Sequence, residues 1–230
     1  MKLRFASYNI HKAVGLDRRR DPERIVAVLR EFDADIIALQ EADRRLGERE
    51  AVLPRALLDD SPWRVAPVAK RARSMGWHGN AILVRRDMEI GECHALDLPT
   101  LEPRGAVCAE ITGEGGSFRV IGTHLDLSGL RRRDQVRSLL GFVARCDDKP
   151  TIILGDFNQW GHSSGAMREF TAPWSQVAPG ASYPSRRPIA RLDRIVHCGN
   201  WTCTGNKVHH SALAVQASDH LPIHADMNLA

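Results

Sequence analysis

Apolar residues along the chain switch repeatedly between a spacing of two and a spacing of three to four, and each switch marks an element. Residues 2–10 read as a first strand. Asp21-Pro22 then supplies an N-cap and a first-turn proline. After it, Ile25, Val28, Leu29 and Phe32 recur at i, i+3, i+4 and i+7, the stripe of an amphipathic helix. Residues 35–40 (DIIALQ), 80–84, 105–111 and 118–125 (FRVIGTHL) predict further strands. Helical spacing returns over 130–145, with Val136, Leu139, Leu140 and Val143 on the apolar side. Strands at 151–156, 192–197 and 221–227 complete the pattern. Several strands follow one another without a helix between them. That predicts an α/β chain of the α+β kind with a mixed sheet core. With no repeat, low-complexity tract or long linker, one domain over 1–230 is expected.

The strand ends are unusually polar. Residues 151–160 read TIILGDFNQW, a buried strand that delivers Asp156 and Asn158 on either side of Phe157. In an extended chain residues i and i+2 share a face, so this spacing sends both polar groups one way and the ring into the core. Asn9 and His11 flank Ile10 in the same manner, and His124 and Asp126 flank Leu125. Glu41 closes DIIALQ on the side shared with Ile37 and Leu39, Asp193 opens a strand in RLDRIV, and Asp219-His220 precedes one in SDHLPI. One acidic strand end is an ordinary turn signal. Six in one chain, most beside good core strand, predict an assembled site.

Composition and charge narrow this only slightly. The chain is 43% hydrophobic and 26% charged, an ordinary globular balance for 230 residues. No apolar run reaches the roughly 18 residues of a membrane span, and the start MKLRFASYNIH lacks a signal-peptide core, so a cytoplasmic protein is expected. Five cysteines without a C-x-x-C pair read as buried small hydrophobes, not as a disulfide framework or zinc site. The net charge of +4 is concentrated in Arg18-Arg19-Arg20, Arg131-Arg132-Arg133 and Arg186-Arg187 with Arg191. Clumped arginine suits a phosphate-bearing partner, although a solvated helix face explains the run at Arg131 equally well.

The residue types define the chemistry. Glu41, Asp156, Asp219 and the amide oxygens of Asn9 and Asn158 are hard oxygen donors. Such donors suit Mg²⁺, which takes one or two carboxylates and completes its coordination with water and substrate phosphate. Crowded carboxylates also need a cation between them. On that ground Asp156→Asn is expected to stop turnover while leaving stability unchanged or raised. A histidine such as His220, held by a carboxylate such as Asp193, is a fixed cation for an anionic substrate. His124 and Arg104 are further donors to phosphate oxygens. Together these features describe metal-assisted hydrolysis of a phosphate ester.

Asn9 in YNIH, Glu41 in LQE, His124 in THL, GDFN at 155–158, LDRI at 192–195 and SDH at 218–220 together resemble the endonuclease/exonuclease/phosphatase superfamily of DNase I-like fold, in a compact bacterial-type form. The motifs occur in family order and span nearly the whole chain. The resemblance implies a four-layer α/β/β/α sandwich with a Mg²⁺ site, Mn²⁺ being a substitute. It implies that Glu41 binds the metal with Asn9 and Asp219. Asp156 would activate the water and Asn158 would hold phosphoryl oxygens. His220 paired with Asp193, and His124, would stabilise the phosphate charge. Arg104 in EPRGAV matches a phosphate-contacting arginine of part of the family. His11 departs from the acidic or amide residue that many nuclease-like members carry two positions after the first asparagine.

Substrate contact is expected from His11, Arg104, Arg187, Arg191 and Trp160. Arg187 and Arg191 lie on a rigid basic loop, residues 183–191 (YPSRRPIAR), and Trp160 lies just beyond GDFN. The other tryptophans read as core. Nucleic acid leads as the substrate. Phospholipid head-group diesters and phosphorylated small molecules present the same oxygens. A serine esterase is the alternative of another class: GHSSG at 161–165 matches a nucleophile elbow, and Ser163, Asp193 and His220 follow the chain order of that fold. However, the apolar run stops well before the motif, and Glu41, Asn158 and Asp219 would have no role.

Overall fold

Alternating burial along the strands produces two sheets that share one set of side chains and turn the other set outward. The computed structural model describes residues 1–45, 47–100 and 102–230. In chain order its strands and helices are β1 (Lys2–Asn9), α1 (Pro22–Phe32), β2 (Ile36–Gln40), α2 (Arg55–Asp59), β3 (Trp63–Val65), β4 (Ala81–Arg85), β5 (Glu89–Asp97) and β6 (Gly105–Gly113). There follow β7 (Gly116–His124), α3 (Gly129–Val143), β8 (Thr151–Asp156), β9 (Ser175–Val177), β10 (Asp193–Cys198), β11 (Trp201–Val208), α4 (Ala212–Ala217) and β12 (Ile223–Leu229). The strands form two six-stranded sheets, ordered β11-β12-β1-β2-β4-β3 and β5-β6-β7-β8-β10-β9.

Each sheet has one parallel pair, β1 with β2 and β7 with β8. A helix crosses over each pair, α1 in the first sheet and α3 in the second. All other pairings are antiparallel. The two sheets are the same arrangement used twice, the first assembled from the last two strands and the first four. The expected mixed sheet is present, in duplicate.

Phe5, Ile36, Ala38, Ile82 and Val84 of the first sheet pack against Val107, Val120, Ile152, Leu154 and Ile195 of the second, between the sheets. The alternate residues Tyr8, Ile37, Leu39 and Leu83 face Ile25, Val28, Leu29 and Phe32 of α1. Across the second sheet, Cys108, Ile121, Ile153 and Val196 meet Val136 and Leu139 of α3. This is the four-layer α/β/β/α sandwich. Each Val, Leu, Ile or Phe side chain among them contributes about 1.5–3 kcal/mol when fully buried. Helix α1 starts where the sequence places it: Asp21 Oδ1 accepts from Arg24 N at 2.9 Å, Pro22 occupies the first turn, and Asp33 ends it with φ 43°.

The sequence pattern misses β3, β5, β9 and β11, which are the four sheet edges. An edge strand has one paired neighbour and fewer covering layers, so its side chains stay partly wet. In β5 no residue is fully buried, and no apolar run marks it. Helix α3 ends at Val143, two residues short of the expected 145, and leaves Leu140 and Val143 only half-buried.

Candidate active site

Strands β1, β7 and β8 stop at Asn9, His124 and Asp156, at the same end of the two sheets. Two positions past the ends of β1 and β8, His11 and Asn158 are not extended, which corrects the shared-face reading for them. His11 has φ 45° and Asn158 φ 50°. What joins each pair is a local hydrogen bond. His11 N donates to Asn9 Oδ1 at 3.1 Å, and Asn158 N donates to Asp156 Oδ1 at 2.9 Å. Phe157 does enter the core, fully buried against Phe170.

Glu41 needs the same correction. Extension of β2 would set it beside Ile37 and Leu39 under the helices. Instead it has φ 55°, and that left-handed turn swings its carboxylate to an ion pair with Lys12. Lys12 lies within a run of three left-handed residues, His11, Lys12 and Ala13, with φ of 45°, 57° and 59°. Left-handed geometry costs roughly 1–2 kcal/mol per non-glycine residue. The run is held by Asp21 N on Ala13 O at 2.8 Å, Arg20 Nε on Lys12 O at 3.2 Å, and His11 Nδ1 against Val14 O at 3.0 Å. Lys12 escaped the sequence reading because a rule of alternate residues passes over it. Its position beside His11 in YNIHK was the only signal.

Asp156, almost fully buried, is the hub. Its Oδ2 lies 3.1 Å from Asn9 Nδ2, 3.4 Å from His124 Nε2 and 3.7 Å from His220 Nε2. His220 Nδ1 meets Asp193 Oδ2 at 2.9 Å, and Ser182 Oγ donates to that same oxygen. Strand pairing puts Asp193 directly opposite Asp156. Ser218 Oγ donates to Asn9 O at 2.7 Å and accepts from His220 N at 3.3 Å, tying the SDH segment to β1. The Tyr183 ring lies 4.8 Å from that of His220. Ser182 and Tyr183 were missed as supports. Tyr183 opens the loop, residues 183–191, that the sequence marked for its prolines and arginines, and Ser182 immediately precedes it.

Two imidazoles on one carboxylate are held in opposite charge states. Burial, with the positive Arg104 and His220 nearby, pushes His124 down to about 3 against the pull of Asp156. Burial also disfavours a charged His220, but Asp193 and Asp156 outweigh it and raise its pKa to about 10. Neutral His124 therefore stabilises the fold above about 6.5, the ordinary histidine value, and that contribution is lost as pH falls toward about 3. Cationic His220 contributes fully below about 6.5 and loses its contribution as pH rises toward about 10. Urea midpoints measured across pH in EDTA are expected to fall on both sides of about 6.5. His124→Asn should flatten the acid limb and His220→Asn the alkaline limb. Unchanged limbs in both variants would contradict the assignment.

Asp219 Oδ1 lies 3.9 Å from His11 Nδ1, beside the end of β1. Arg104 is largely buried, 3.7 Å from Glu102, and lines a cleft with Lys12, Glu41, Arg49, His78 and His124. Arg187 and Arg191 are exposed on their loop, and Trp160 is 62% exposed. Trp63 and Trp201 are core residues, while Trp77 and Trp174 are only partly covered. A larger cavity of 280 Å³ beside β3, lined by Trp63, Met75 and Arg86, contains none of the groups around Asp156. The serine alternative fails on geometry. Strand β8 ends at Asp156, residues 157–164 are irregular before a single 3₁₀ turn, and His220 Nε2 faces Asp156.

The donor set fits a hard divalent cation. Glu41 already draws a lysine ammonium, Asn9 adds an oxygen at the end of β1, and Asp219 adds another from the bend between α4 and β12. Asp156, Asp193 and His220 also place ligand atoms within 4.8 Å of one another. In that trio the His220 and Asp193 atoms point at each other, so we read it as a hydrogen-bonded relay.

The two-sheet sandwich thus gathers acids, amides and histidines at its strand ends. The chain belongs to the Endonuclease/Exonuclease/phosphatase family, whose profile matches residues 6–220. Its members act on phosphoester bonds and typically use divalent metals. The uncharacterized protein YbhP of Escherichia coli K12 is 28% identical over 96% of this chain and 94% of its own length. An endonuclease/exonuclease/phosphatase from Bacteroides vulgatus superimposes with a TM-score of 0.79 at 18% identity, covering 100% of both chains. Danio rerio TDP2 complexed with a single-strand DNA product superimposes at 0.75 with 17% identity, over 99% of each chain. No helix among the described residues is long and apolar enough to cross a membrane.

Proposed function

We propose that the protein is a Mg²⁺-dependent phosphodiesterase centred on Asp156. The observation that carries this reading is the convergence of Asn9, His124 and His220 on one oxygen of Asp156, with Glu41 at the neighbouring strand end. Glu41, Asn9 and Asp219 would hold the metal, which when bound would neutralise phosphoryl charge and acidify water. Mn²⁺ would substitute.

Asp156 orients the attacking water and takes its proton as the water oxygen bonds to phosphorus and the ester P–O bond breaks. The Asn9 side-chain amide and the Asn158 backbone N–H hold that carboxylate in place. The cationic Nε2–H of His220, fixed by Asp193, is available to a phosphoryl oxygen. Asn158 uses one Nδ2 hydrogen on Leu125 O at 2.9 Å and keeps the second for the substrate. Arg104, in the cleft beside His124, and His11, beside Asp219, would contact the phosphate or its substituents. Hydrolysis of bis(p-nitrophenyl) phosphate, a diester without any biological side group, tests the chemistry alone. Turnover with Mg²⁺ or Mn²⁺ that stops in EDTA is expected; turnover that survives EDTA, or none under any metal, would overturn it.

A further inference from the structure

The structure leaves four large hydrophobic side chains exposed among the described residues: Leu127 at 65%, Leu130 at 75%, Trp160 at 62% and Ile189 at 66%. Scattered singly over a surface such residues would need no explanation. These four all lie on segments that leave or enter the strand ends around Asp156. Leu127 lies three residues past the end of β7, Trp160 four past the end of β8, and Ile189 four before the start of β10. Leu130 is in the first turn of α3.

Hydrogen bonds tie these segments together. Asn158 Nδ2 donates to Leu125 O at 2.9 Å, and Phe157 N donates to Leu192 O at 2.9 Å. Arg132 reaches Leu127 O at 2.6 Å and Gln159 Oε1 at 3.3 Å. Ile189 N donates to Tyr183 O at 2.9 Å, and Tyr183 lies on His220. The apolar residues therefore rim the side of the site built by the second sheet.

The same segments are strongly cationic. Residues 125–133, 157–164 and 183–191 hold six arginines against one carboxylate, Asp126. Arg131, Arg186, Arg187 and Arg191 make no ion pair among the described residues. Aliphatic and indole side chains interleaved with arginine match a surface whose outer layer is phosphate and whose interior is hydrocarbon. Single-stranded nucleic acid would be held by aromatic stacking platforms, and three of these four residues are aliphatic.

We infer that this rim docks the enzyme on an anionic phospholipid bilayer, with Leu127, Leu130, Trp160 and Ile189 entering the interface and the arginines meeting lipid phosphates. Its substrate is then a head-group phosphodiester presented from that surface. The docking surface is read independently of the chemistry; the substrate class rests on the phosphodiesterase reading.

The test is co-sedimentation of the full chain with vesicles of phosphatidylglycerol and phosphatidylcholine in equal parts. It is run beside pure phosphatidylcholine vesicles and a single-stranded DNA oligonucleotide. The second protein is the triple variant Leu127→Ser, Leu130→Ser, Ile189→Ser. Wild type is expected to bind the anionic vesicles, and the variant to bind at least about tenfold less while hydrolysing bis(p-nitrophenyl) phosphate at the wild-type rate. Failure of wild type to bind, or equal binding by the variant, would overturn the docking surface. Loss of DNA binding in the variant without vesicle binding by wild type would assign the rim to nucleic acid. A wild type that binds vesicles but cannot hydrolyse the reporter overturns the phosphodiesterase reading and leaves the docking surface standing.

Discussion

Asp156→Asn is expected to lower kcat for bis(p-nitrophenyl) phosphate by about 10³-fold or more at saturating Mg²⁺, with KM changed by less than about threefold. The amide has almost the same shape, but it cannot accept a proton at neutral pH. It also brings two N–H bonds to a position already faced by Asn9 Nδ2, a donor that needs an acceptor, and by the cationic ring of His220. Crowded carboxylates suggested that this variant would be as stable as wild type or more so. The structure reverses that expectation. The nearest neighbours of Asp156 are an amide, two imidazoles and a backbone N–H, so removing its charge should cost about 1–3 kcal/mol. Urea denaturation and kinetics on one preparation decide both points. A variant that keeps a tenth of wild-type kcat would remove Asp156 from the proton transfer.

Gly155→Ala is expected to destabilise the fold by about 3 kcal/mol or more, and to abolish activity in whatever protein remains folded. Gly155 has φ 155°, and a Cβ there would lie 1.8 Å from Thr123 O. Thr123 is its partner in the parallel β7–β8 pair, so the clash falls on backbone that cannot rotate away. Relief requires the two strands to separate at their ends, where His124 and Asp156 face each other in register. The glycine of GDFN is thus the condition for the distance between those two side chains. A melting temperature within about 2 °C of wild type would show that the strands absorb the methyl group.

The limits of the sequence reading have particular causes. The central strands of both sheets, helix α1 and most of α3 were visible because buried faces impose a period on the chain. The edge strands carry no such imprint. The sequence also marked Asp156, His220, Asp193, His124, Glu41 and Asn9 through unexpected polarity at strand ends, and folding brings Asn9, His124, Asp193 and His220 around Asp156. It marked Arg187, Arg191 and Trp160 as well, which folding leaves on the exposed rim.

How those groups reach one another was decided elsewhere. Asn9 and Asp156 are 147 residues apart and meet at 3.1 Å because one sheet lies on the other. Lys12 meets Glu41 because two left-handed turns, neither at a glycine, swing the chain off its strand direction. His124 and His220 have the same unperturbed pKa, and only burial beside Arg104 for one and between Asp193 and Asp156 for the other separates their charges. Period and polarity are local properties, and the chain carries them in its order of residues. Distance, dielectric environment and the exposure of Leu127, Leu130, Trp160 and Ile189 depend on segments far apart in sequence, so only the packed sheets determine them.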